Sequence, residues 1–306
     1  MAKSDLSAPH FHNEDAAFAY VEERLWPNGP TCPHCQATAE KIGRLTGKSS
    51  RPGLRKCYAC RKTFTVRVGT IFEDSHFPLR LWLQAIQLIT ASKKGISTRQ
   101  IQRTFNCSMK TAWFLGHRIR EMMAPAANSG PLGGPGKTIE ADDTEMARSR
   151  KTRKPEGFKR TTHNVKVLSL VERSGKMRSV MLDHRSIGAR MRELASRDSR
   201  LVTDMGAPFK LLGFAAHETV DHSKYEWARG DVHTNTLEGF FSVFKRGMIG
   251  IYQHVDTKHF DRYLAEFDFR QNTREKLGIN DQQRASLTVQ GARGKRLTYE
   301  TTNSQA

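Results

Sequence analysis

The sequence predicts an α/β protein in which a mixed sheet with flanking helices is preceded by two smaller modules. Three observations predict this organisation: two Cys-x-x-Cys pairs near the start, helical periodicity after them, and alternating strand and helix patterns in the second half. At about 100–200 residues per domain, 306 residues allow two or three domains. The hydrophobic content of 37% is enough to build folded cores, so wholesale disorder is excluded.

The chain has a strongly basic charge balance. It carries 50 Lys and Arg against 31 Asp and Glu, which gives a formal net charge of +19. Such an excess suits a polyanionic partner, because side chains that neutralise phosphates release condensed counterions. Nucleic acid is therefore the first candidate partner, and a merely solvated basic surface is the alternative.

No segment predicts insertion into a membrane. The longest apolar stretch, 81–91, is interrupted by Gln84 and Gln87 and is much shorter than the ~20 residues that a membrane span needs. The first residues lack the apolar segment of a secretory signal. We therefore expect a cytoplasmic protein that binds no membrane.

Four of the five cysteines form two pairs that predict a metal site. The first pair is Cys32 and Cys35, and the second is Cys57 and Cys60. In a reducing compartment, two such turns place four thiolates at the corners of a tetrahedron, the ligand set of structural Zn²⁺. We predict a zinc ribbon over residues 15–75, with a strand over 62–68 leaving the second turn. Redox pairs are the alternative, and Cys107 is expected to be an isolated buried side chain.

Residues 76–123 change to helical periodicity. A broad apolar stripe begins after Pro78, and Gly95 ends that helix. Ser97 can cap a second short helix, and a third follows. This order predicts a helix-turn-helix, in which the start of the last helix enters the major groove of DNA; a purely structural three-helix bundle is the alternative. The candidates for base contact at that start are Ser108, Met109, Lys110 and Thr111.

Composition marks a domain boundary and a chain end. Residues 124–137 hold four Gly and three Pro, which the interiors of helices and strands do not tolerate, so we expect a linker there. Residues 279–306 have few large apolar side chains and no sustained periodicity. We therefore expect a flexible basic tail that can contact DNA.

The second half predicts alternating strands and helices. A short strand, a two-stranded hairpin, a helix, a strand ending on an acid, another short strand and a last helix follow one another. Their positions are 138–142, 165–171, 177–182, 187–196, 200–204, 217–222 and the apolar stripe Leu237, Phe240, Phe241 and Phe244. This order matches an RNase H-like fold, which we assign to residues 138–278.

Three acids fall where that fold carries metal-binding carboxylates. Asp142 lies on the first strand, Asp204 ends the fourth, and Glu238 lies on the last helix, seven residues before Lys245 and on the same edge. Converging carboxylates need cations to hold them together, and hard oxygen ligands select Mg²⁺ or Mn²⁺. Two such ions stabilise the attacking and leaving oxygens of a phosphodiester. Lys245 is expected at a DNA phosphate, whereas each acid alone could be a solvated surface carboxylate.

Taken together, these motifs resemble the DDE transposases of bacterial insertion sequences, in particular the ISXO-like group. The resemblance covers about residues 15–275, and members of the group carry a zinc ribbon, a helix-turn-helix and an RNase H-like domain in this order. The matching stretches are 32–35, Trp82 with 93–97, 110–113 with 117–120, 140–142, 203–204, 233–241 and 245–247, followed by 258–260 and 262–264.

The resemblance implies both a reaction and residue roles. The reaction is metal-dependent strand cleavage at the ends of the element, followed by attack of the freed 3′-hydroxyl on target DNA. Asp142 and Asp204 resemble the first two metal ligands of the group. Glu238 and Lys245 resemble its final acid and the partner lysine.

Some positions leave alternatives open. The group varies between Glu, Asn and His at the third ligand, so Asn235 and His233 are rivals of Glu238, which we prefer for its spacing to Lys245. Where the group usually has Glu-Thr-Tyr after the first acid, this chain has Asp143-Thr144-Glu145. Asp143 is therefore an alternative to Asp142, although strand alternation puts it on the opposite face. Three further residues, His217, Asp221 and His222, could suggest a separate metal site. Their spacing in the sequence is not that of a compact ligand set.

Further basic residues are expected to contact DNA. Two lie in stretches shared with the group, and three lie in a basic loop; they are Arg118, Arg246, Arg148, Arg150 and Lys151. We predict an insertion-sequence transposase that acts on double-stranded element-end and target DNA, as a homodimer or larger assembly in the bacterial nucleoid. The alternatives are a non-catalytic DNA-binding regulator and an RNase H-like nuclease without strand transfer.

Overall fold

The computed structural model describes residues 4–47, 49–125, 129–146, 164–173, 175–182, 187–205 and 213–298. The chain divides into two compact units, one of residues 1–124 with 278–306 and one of residues 125–277. No helix in the described ranges combines the length and the apolar character that a membrane span requires.

The first unit opens with helix α1 and a small antiparallel sheet. Their bounds are Glu14–Leu25 for α1, Ile42–Arg44 for β1, Arg55–Cys57 for β2 and Thr63–Phe64 for β3. The predicted strand over 62–68 is therefore wrong in length. It stops at Phe64 because the chain turns there: Val68 N donates to Thr65 O at 3.1 Å, and Thr70 N donates to Arg67 O at 3.1 Å.

Three helices follow, as the periodicity predicts. They are α2 (Leu79–Ala91), α3 (Thr98–Phe105) and α4 (Met109–Met123). The Ser97 side chain caps α3 by accepting from Gln100 N at 3.2 Å, and Ser108 caps α4 by accepting from Thr111 N at 3.0 Å. Asn106 lies between them with a φ of +45°, a left-handed conformation that Asn tolerates better than most residues.

The prediction of a flexible tail is wrong over the described part of 279–306. Residues Asp281–Gln290 form helix α8, which Asn280 and Gln283 open with a reciprocal capping box. The helix packs against α2 in the first unit and buries a narrow stripe of small side chains. That stripe is Ala285, Thr288 and Val289.

Basic residues of this segment cap other helices. Arg284 donates to Thr90 O in the last turn of α2, at 3.2 Å. Lys295 Nζ donates to Glu121 O and to Ala124 O at the end of α4, at 2.7 Å each. The last carbonyls of a helix have no partner within it, and a cationic side chain satisfies them. These two cations therefore stabilise the first unit.

The second unit is built on a five-stranded mixed sheet. Its strands are β4 (Thr138–Met146), β5 (Val165–Glu172), β6 (Met177–Leu182), β7 (Arg200–Asp204) and β8 (Ala216–Val220). Their order across the sheet is β6-β5-β4-β7-β8. The first three strands pair antiparallel, and β7 is parallel to both β4 and β8. The predicted fold class, a mixed sheet with flanking helices, is confirmed.

Helices cover both faces of this sheet. They are α5 (Ile187–Leu194), α6 (Asn235–Gly247) and α7 (Thr257–Asn272). Val167 and Val171 of β5 belong to one core with the apolar residues of α6 and α7, whereas Leu168 and Leu170 belong to the core around α5. Alternate residues of each strand thus point to opposite layers.

The later part of the predicted linker 124–137 packs on the second unit. Leu132 is buried, its N–H donates to Leu194 O at 2.8 Å, and its carbonyl accepts from Ser196 N at 2.8 Å. The linker prediction is therefore wrong for this part. Leu132 is the one large apolar residue in this glycine-rich stretch, and its burial fixes the chain against the second unit.

Candidate functional site

The four paired cysteines converge in the first unit. All four Sγ atoms lie within 4.8 Å of one another, with 3.7 Å between Cys32 and Cys60 and 3.6 Å between Cys35 and Cys57. A tetrahedral Zn²⁺ with Zn–S bonds of ~2.3 Å requires sulfur atoms about 3.8 Å apart. The residues therefore fit a structural zinc ion.

The thiol pKa values reflect this crowding. Backbone N–H donation from Cys60 lowers the pKa of Cys57 to about 7. The Ala37 N–H also lowers the pKa of Cys35, but burial and the three neighbouring thiols outweigh it and raise that pKa to about 12. The negative charge on one thiolate disfavours ionisation of the neighbouring thiols, so all four can ionise together only when a cation is bound.

Asp142 and Asp204 lie on the same face of the second unit's sheet. Asp142 is paired across β4 and β5 with Ser169, between the two valines that pack against α6. Leu201 faces α5, so alternation turns Asp204 of the same strand toward α6. The parallel pairing of β4 with β7 ends at Glu140 and Val202. Both acids therefore lie two residues beyond the last pair.

The acids interact electrostatically. Burial raises the pKa of Asp142 to about 7, and repulsion from Asp204, and more weakly from Glu238, adds to the effect. Asp142 Oδ1 accepts a hydrogen bond from Asp143 N at 2.8 Å, which partly offsets the rise. A carboxylate that resists ionisation among like charges is typical of a site built for a cation.

The acids are near one another without forming a closed ligand set. Within the described residues, the four cysteines are the only group of three or more His, Cys, Asp or Glu side chains whose ligand atoms all lie within 4.8 Å of one another. Glu238 is the most accessible of the three acids, with 44% of its side chain exposed. Its Oε1 lies 3.4 Å from His222 Nε2.

The alternative ligands that the sequence leaves open have different surroundings. Asn235 is exposed at the first position of α6. His233 Nδ1 lies 3.6 Å from Glu140 Oε1, so it approaches a different carboxylate. Asp143 pairs with Leu168 and faces the α5 layer, as strand alternation predicts. Lys245 is partly exposed in the last turn of α6.

The residues considered for another metal site have separate contacts. His217 Nε2 lies 3.0 Å from Thr203 Oγ1. Asp221 caps a short turn by accepting from Ser223 N at 3.1 Å. His222 approaches Glu238, as described above, and no metal cluster involving these residues is found in the described parts of the chain.

The candidates for DNA contact are only partly exposed. Ser108 and Lys110 are exposed at the start of α4, and Met109 and Thr111 are half-buried there. Arg246 is exposed, and its guanidinium donates to Ser242 O at 3.0 Å. The residues of the basic loop, Arg148, Arg150 and Lys151, lie outside the described residues.

The expectation that Arg118 contacts DNA is corrected by its burial. Only 5% of Arg118 is exposed, and its guanidinium donates to Glu73 O at 3.1 Å and to Leu297 O at 3.2 Å. The side chain points inward because the apolar stripe of α4 is broad enough to carry position 118 into the first unit. The hydrogen bonds of its guanidinium to these carbonyls lie within the first unit.

Five exposed cations lie on helices α3 and α4 or in the segment just before α3; sequence reasoning singled out Lys110 among them for DNA contact and missed the other four. We call this set the basic surface: Lys93, Lys94, Arg99, Arg103 and Lys110, all exposed. Helix α3 carries two of them on its polar side and no acid. The four-residue spacing of Arg99 and Arg103 was the signal that could have revealed this face.

The two units thus define a zinc-ribbon protein with a mixed-sheet domain that bears clustered carboxylates. Residues 131–272 match the ISXO2-like transposase domain, and residues 12–63 match the transposase zinc-ribbon domain. The chain is also similar to an uncharacterized protein in transposable element ISH50 of Halobacterium salinarum. The two are 28% identical over 294 residues, which cover 88% of this chain and 94% of that protein. These matches confirm the resemblance to insertion-sequence transposases that the sequence indicates: one segment is similar to their ISXO2-like transposase domain and another to their zinc ribbon.

Proposed function

We propose that this protein is an insertion-sequence transposase that cleaves DNA at the ends of its element and joins the freed 3′ ends to target DNA. One observation carries the proposal. Asp142 and Asp204 lie on one face of the sheet where β4 and β7 part, and Glu238 approaches from α6 closely enough to raise the pKa of Asp142. This arrangement lies within the segment that matches ISXO2-like transposases.

These carboxylates would hold Mg²⁺ or Mn²⁺. When bound, such ions stabilise the charge that develops on the attacking and leaving oxygens of a phosphodiester. The carboxylates supply the hard oxygen ligands that these ions prefer. Lys245, two helical turns after Glu238 and on the same edge of α6, would contact a phosphate of the bound strand.

The reaction needs two displacement steps at phosphorus, a hydrolysis followed by a transesterification. In the first, water attacks the phosphodiester at the end of the element; a new P–O bond forms, and the 3′-oxygen of the element strand leaves as a free hydroxyl. In the second, that hydroxyl attacks a phosphodiester of the target. Its oxygen becomes bonded to the target phosphorus, and a target 3′-hydroxyl is released.

The first unit would recognise and bind DNA. We assign this role to the zinc ribbon over residues 15–75 and the helix-turn-helix over 76–123, and the chemistry to the RNase H-like domain over 138–278. The basic surface supports the assignment, because exposed cations on one short helix and its neighbours neutralise phosphates. A homodimer or larger assembly would bring two element ends together.

The test uses full-length, zinc-loaded protein with a labelled duplex that carries the terminal repeats flanking its gene. In Mg²⁺ we expect nicked duplex first and then products joined to target DNA. Asp142→Asn, Asp204→Asn and Glu238→Gln should each lower both rates by at least about 100-fold, since even changes around metal ligands have effects of 10–100-fold. Exposed Asp198 offers a matched control, and Asp198→Asn should retain activity.

The same assay separates the alternatives. DNA binding without any nicking in Mg²⁺ would indicate a regulator and refute the proposal. Nicking without joined product would indicate a nuclease. Full activity in Asp142→Asn and Asp204→Asn would remove these residues from the reaction.

A further inference from the structure

Glu140 is a fully buried carboxylate in the second unit, two residues before Asp142 on the same face of β4. None of its surface is exposed. At the start of α6, Thr236 donates to it twice: the backbone N–H at 3.3 Å to Oε2 and the hydroxyl at 3.1 Å to Oε1. Arg173 Nε donates to Oε1 at 3.2 Å. One side chain thus joins the central strand to the first turn of α6.

The contacts continue from Glu140 to the next strand. Arg173 also donates to Asp231, through Nη1 to Oδ2 at 3.4 Å and through Nη2 to the backbone carbonyl. Asp231 in turn binds the guanidinium of Arg200 on β7, with Nη2 to Oδ1 at 3.0 Å. Hydrogen bonding by Arg200 holds the pKa of Asp231 at about 2, so this link is ionised throughout the useful pH range. We call these five residues the Glu140 network: Glu140, Thr236, Arg173, Asp231 and Arg200.

Each element that bears one of the three acids also bears a member of this network. Glu140 precedes Asp142 by two residues on β4, and Arg200 precedes Asp204 by four on β7. Even spacings on a strand keep both side chains on one face. Thr236 precedes Glu238 by two residues in the first turn of α6. The network therefore connects β4, β7 and α6, the three elements that carry the acids. Its hydrogen bonds involve charged groups and are stronger than bonds between neutral groups.

Resting on the function proposed above, we propose that Glu140 is a positioning residue: its buried carboxylate fixes the start of α6 against β4 and so sets Glu238 relative to Asp142 for cation binding. Glu140 itself points toward Thr236 and Arg173. It acts through the elements that it holds, as partners around metal ligands commonly do.

The test compares Glu140→Gln with a matched control in the full-length, zinc-loaded protein. Asp268 is the control, because this buried carboxylate of the same unit also accepts from one backbone N–H and one hydroxyl, both of Ser179 at 2.6 Å. Two measurements are made on each variant. Amide hydrogen exchange of a peptide covering 233–247 reports the local stability of α6. Calorimetric titration with Mn²⁺ reports the affinity for the cation.

We expect Glu140→Gln to accelerate exchange at the start of α6 and to weaken Mn²⁺ binding about tenfold or more, with Asp268→Asn changing neither. Should Glu140→Gln fail to fold, Thr236→Val removes one donor and keeps the backbone N–H, and Thr236→Ser should restore the parent affinity. A merely structural role would lower thermal stability in both carboxyl variants and leave Mn²⁺ affinity equal.

Three results would overturn the inference in distinguishable ways. Unchanged exchange in 233–247 would show that Glu140 does not hold α6. Faster exchange with parent-like Mn²⁺ affinity would show that the hold does not position the acids. Absence of Mn²⁺ binding in the parent protein would refute the proposed function and with it this role, even if the exchange result holds.

Discussion

Asp142 and Asp204 lie side by side on one face of a mixed sheet, each two residues beyond the last pair that joins β4 to β7. Beyond that pair the two strands are no longer joined by ladder pairing, and each carries one of the two carboxylates. Burial, together with repulsion from Asp204, raises the pKa of Asp142 to about 7. The fold therefore holds like charges together at a loss of stability that a cation can remove.

Asp142→Asn should stabilise the metal-free protein at alkaline pH. An acid whose pKa is higher in the folded state than in the unfolded chain destabilises the fold above the higher value, and the effect disappears below the lower one. The gain should be at most about 4 kcal/mol at pH 8, since a tenfold change in an ionisation constant is worth about 1.4 kcal/mol. It should shrink between pH 7 and pH 4. Thermal unfolding in chelator measures it.

Asp198→Asn is the control for that series, because Asp198 is exposed in the same unit. The stability of this control relative to the parent should be about the same at pH 8 and at pH 4. A variant Asp142→Asn that is less stable than the parent at pH 8, or equally shifted at both, would contradict the electrostatic account of the site.

The zinc site can be tested independently of any reaction. Metal analysis should find about one zinc per chain, and Cys57→Ser should lose it and unfold the ribbon at a lower temperature, because zinc binding supplies folding free energy. Cys107 lies outside the cluster, so Cys107→Ser should keep both zinc and stability. Native protein without zinc would refute the assignment.

Two glycine substitutions should have opposite effects. A Cβ on Gly291 would lie 2.1 Å from Met122 O, a backbone atom that cannot move aside cheaply. Gly291→Ala should therefore destabilise the first unit by about 1–3 kcal/mol. Gly239 on α6 has open space around it, so Gly239→Ala should stabilise the second unit by about 0.5–1 kcal/mol. Chemical denaturation measures both, and an unaffected Gly291→Ala protein would contradict the docking of α8.

The basic surface should determine much of the salt dependence of DNA binding. Replacing Arg103 and Lys110 with Gln removes two charges, so the slope of log affinity against log salt should fall by about 0.9 for each phosphate that is no longer neutralised. Lys276→Gln, which removes one exposed charge from the second unit, is the control and should leave the slope unchanged. Titrations at several salt concentrations measure the slope, and equal slopes in all proteins would remove α3 and α4 from the DNA interface.

Much of the fold follows from local patterns. Alternation and turn residues define the strands of the second unit and place Asp142 and Asp204 on them without knowledge of their neighbours, although β4 continues to Met146, past the predicted end at 142. The segment after residue 278 could not be predicted in this way. Its buried stripe is made of Ala, Thr and Val, and its long cations are fixed by carbonyls of α2 and α4 far away in the sequence. The contacts of Glu140 could not be predicted from local patterns either, because its partner Thr236 is 96 residues away in the sequence.

The most direct measurement of the central claim is anomalous diffraction from crystals of the zinc-loaded protein soaked in Mn²⁺. The zinc bound by the four cysteines provides an internal reference peak. We predict manganese peaks at bonding distance, about 2.0–2.2 Å as for ions of this size, from the carboxylates of Asp142 and Asp204, with Glu238 completing the site. A strong zinc peak with no manganese beside these acids would contradict the account.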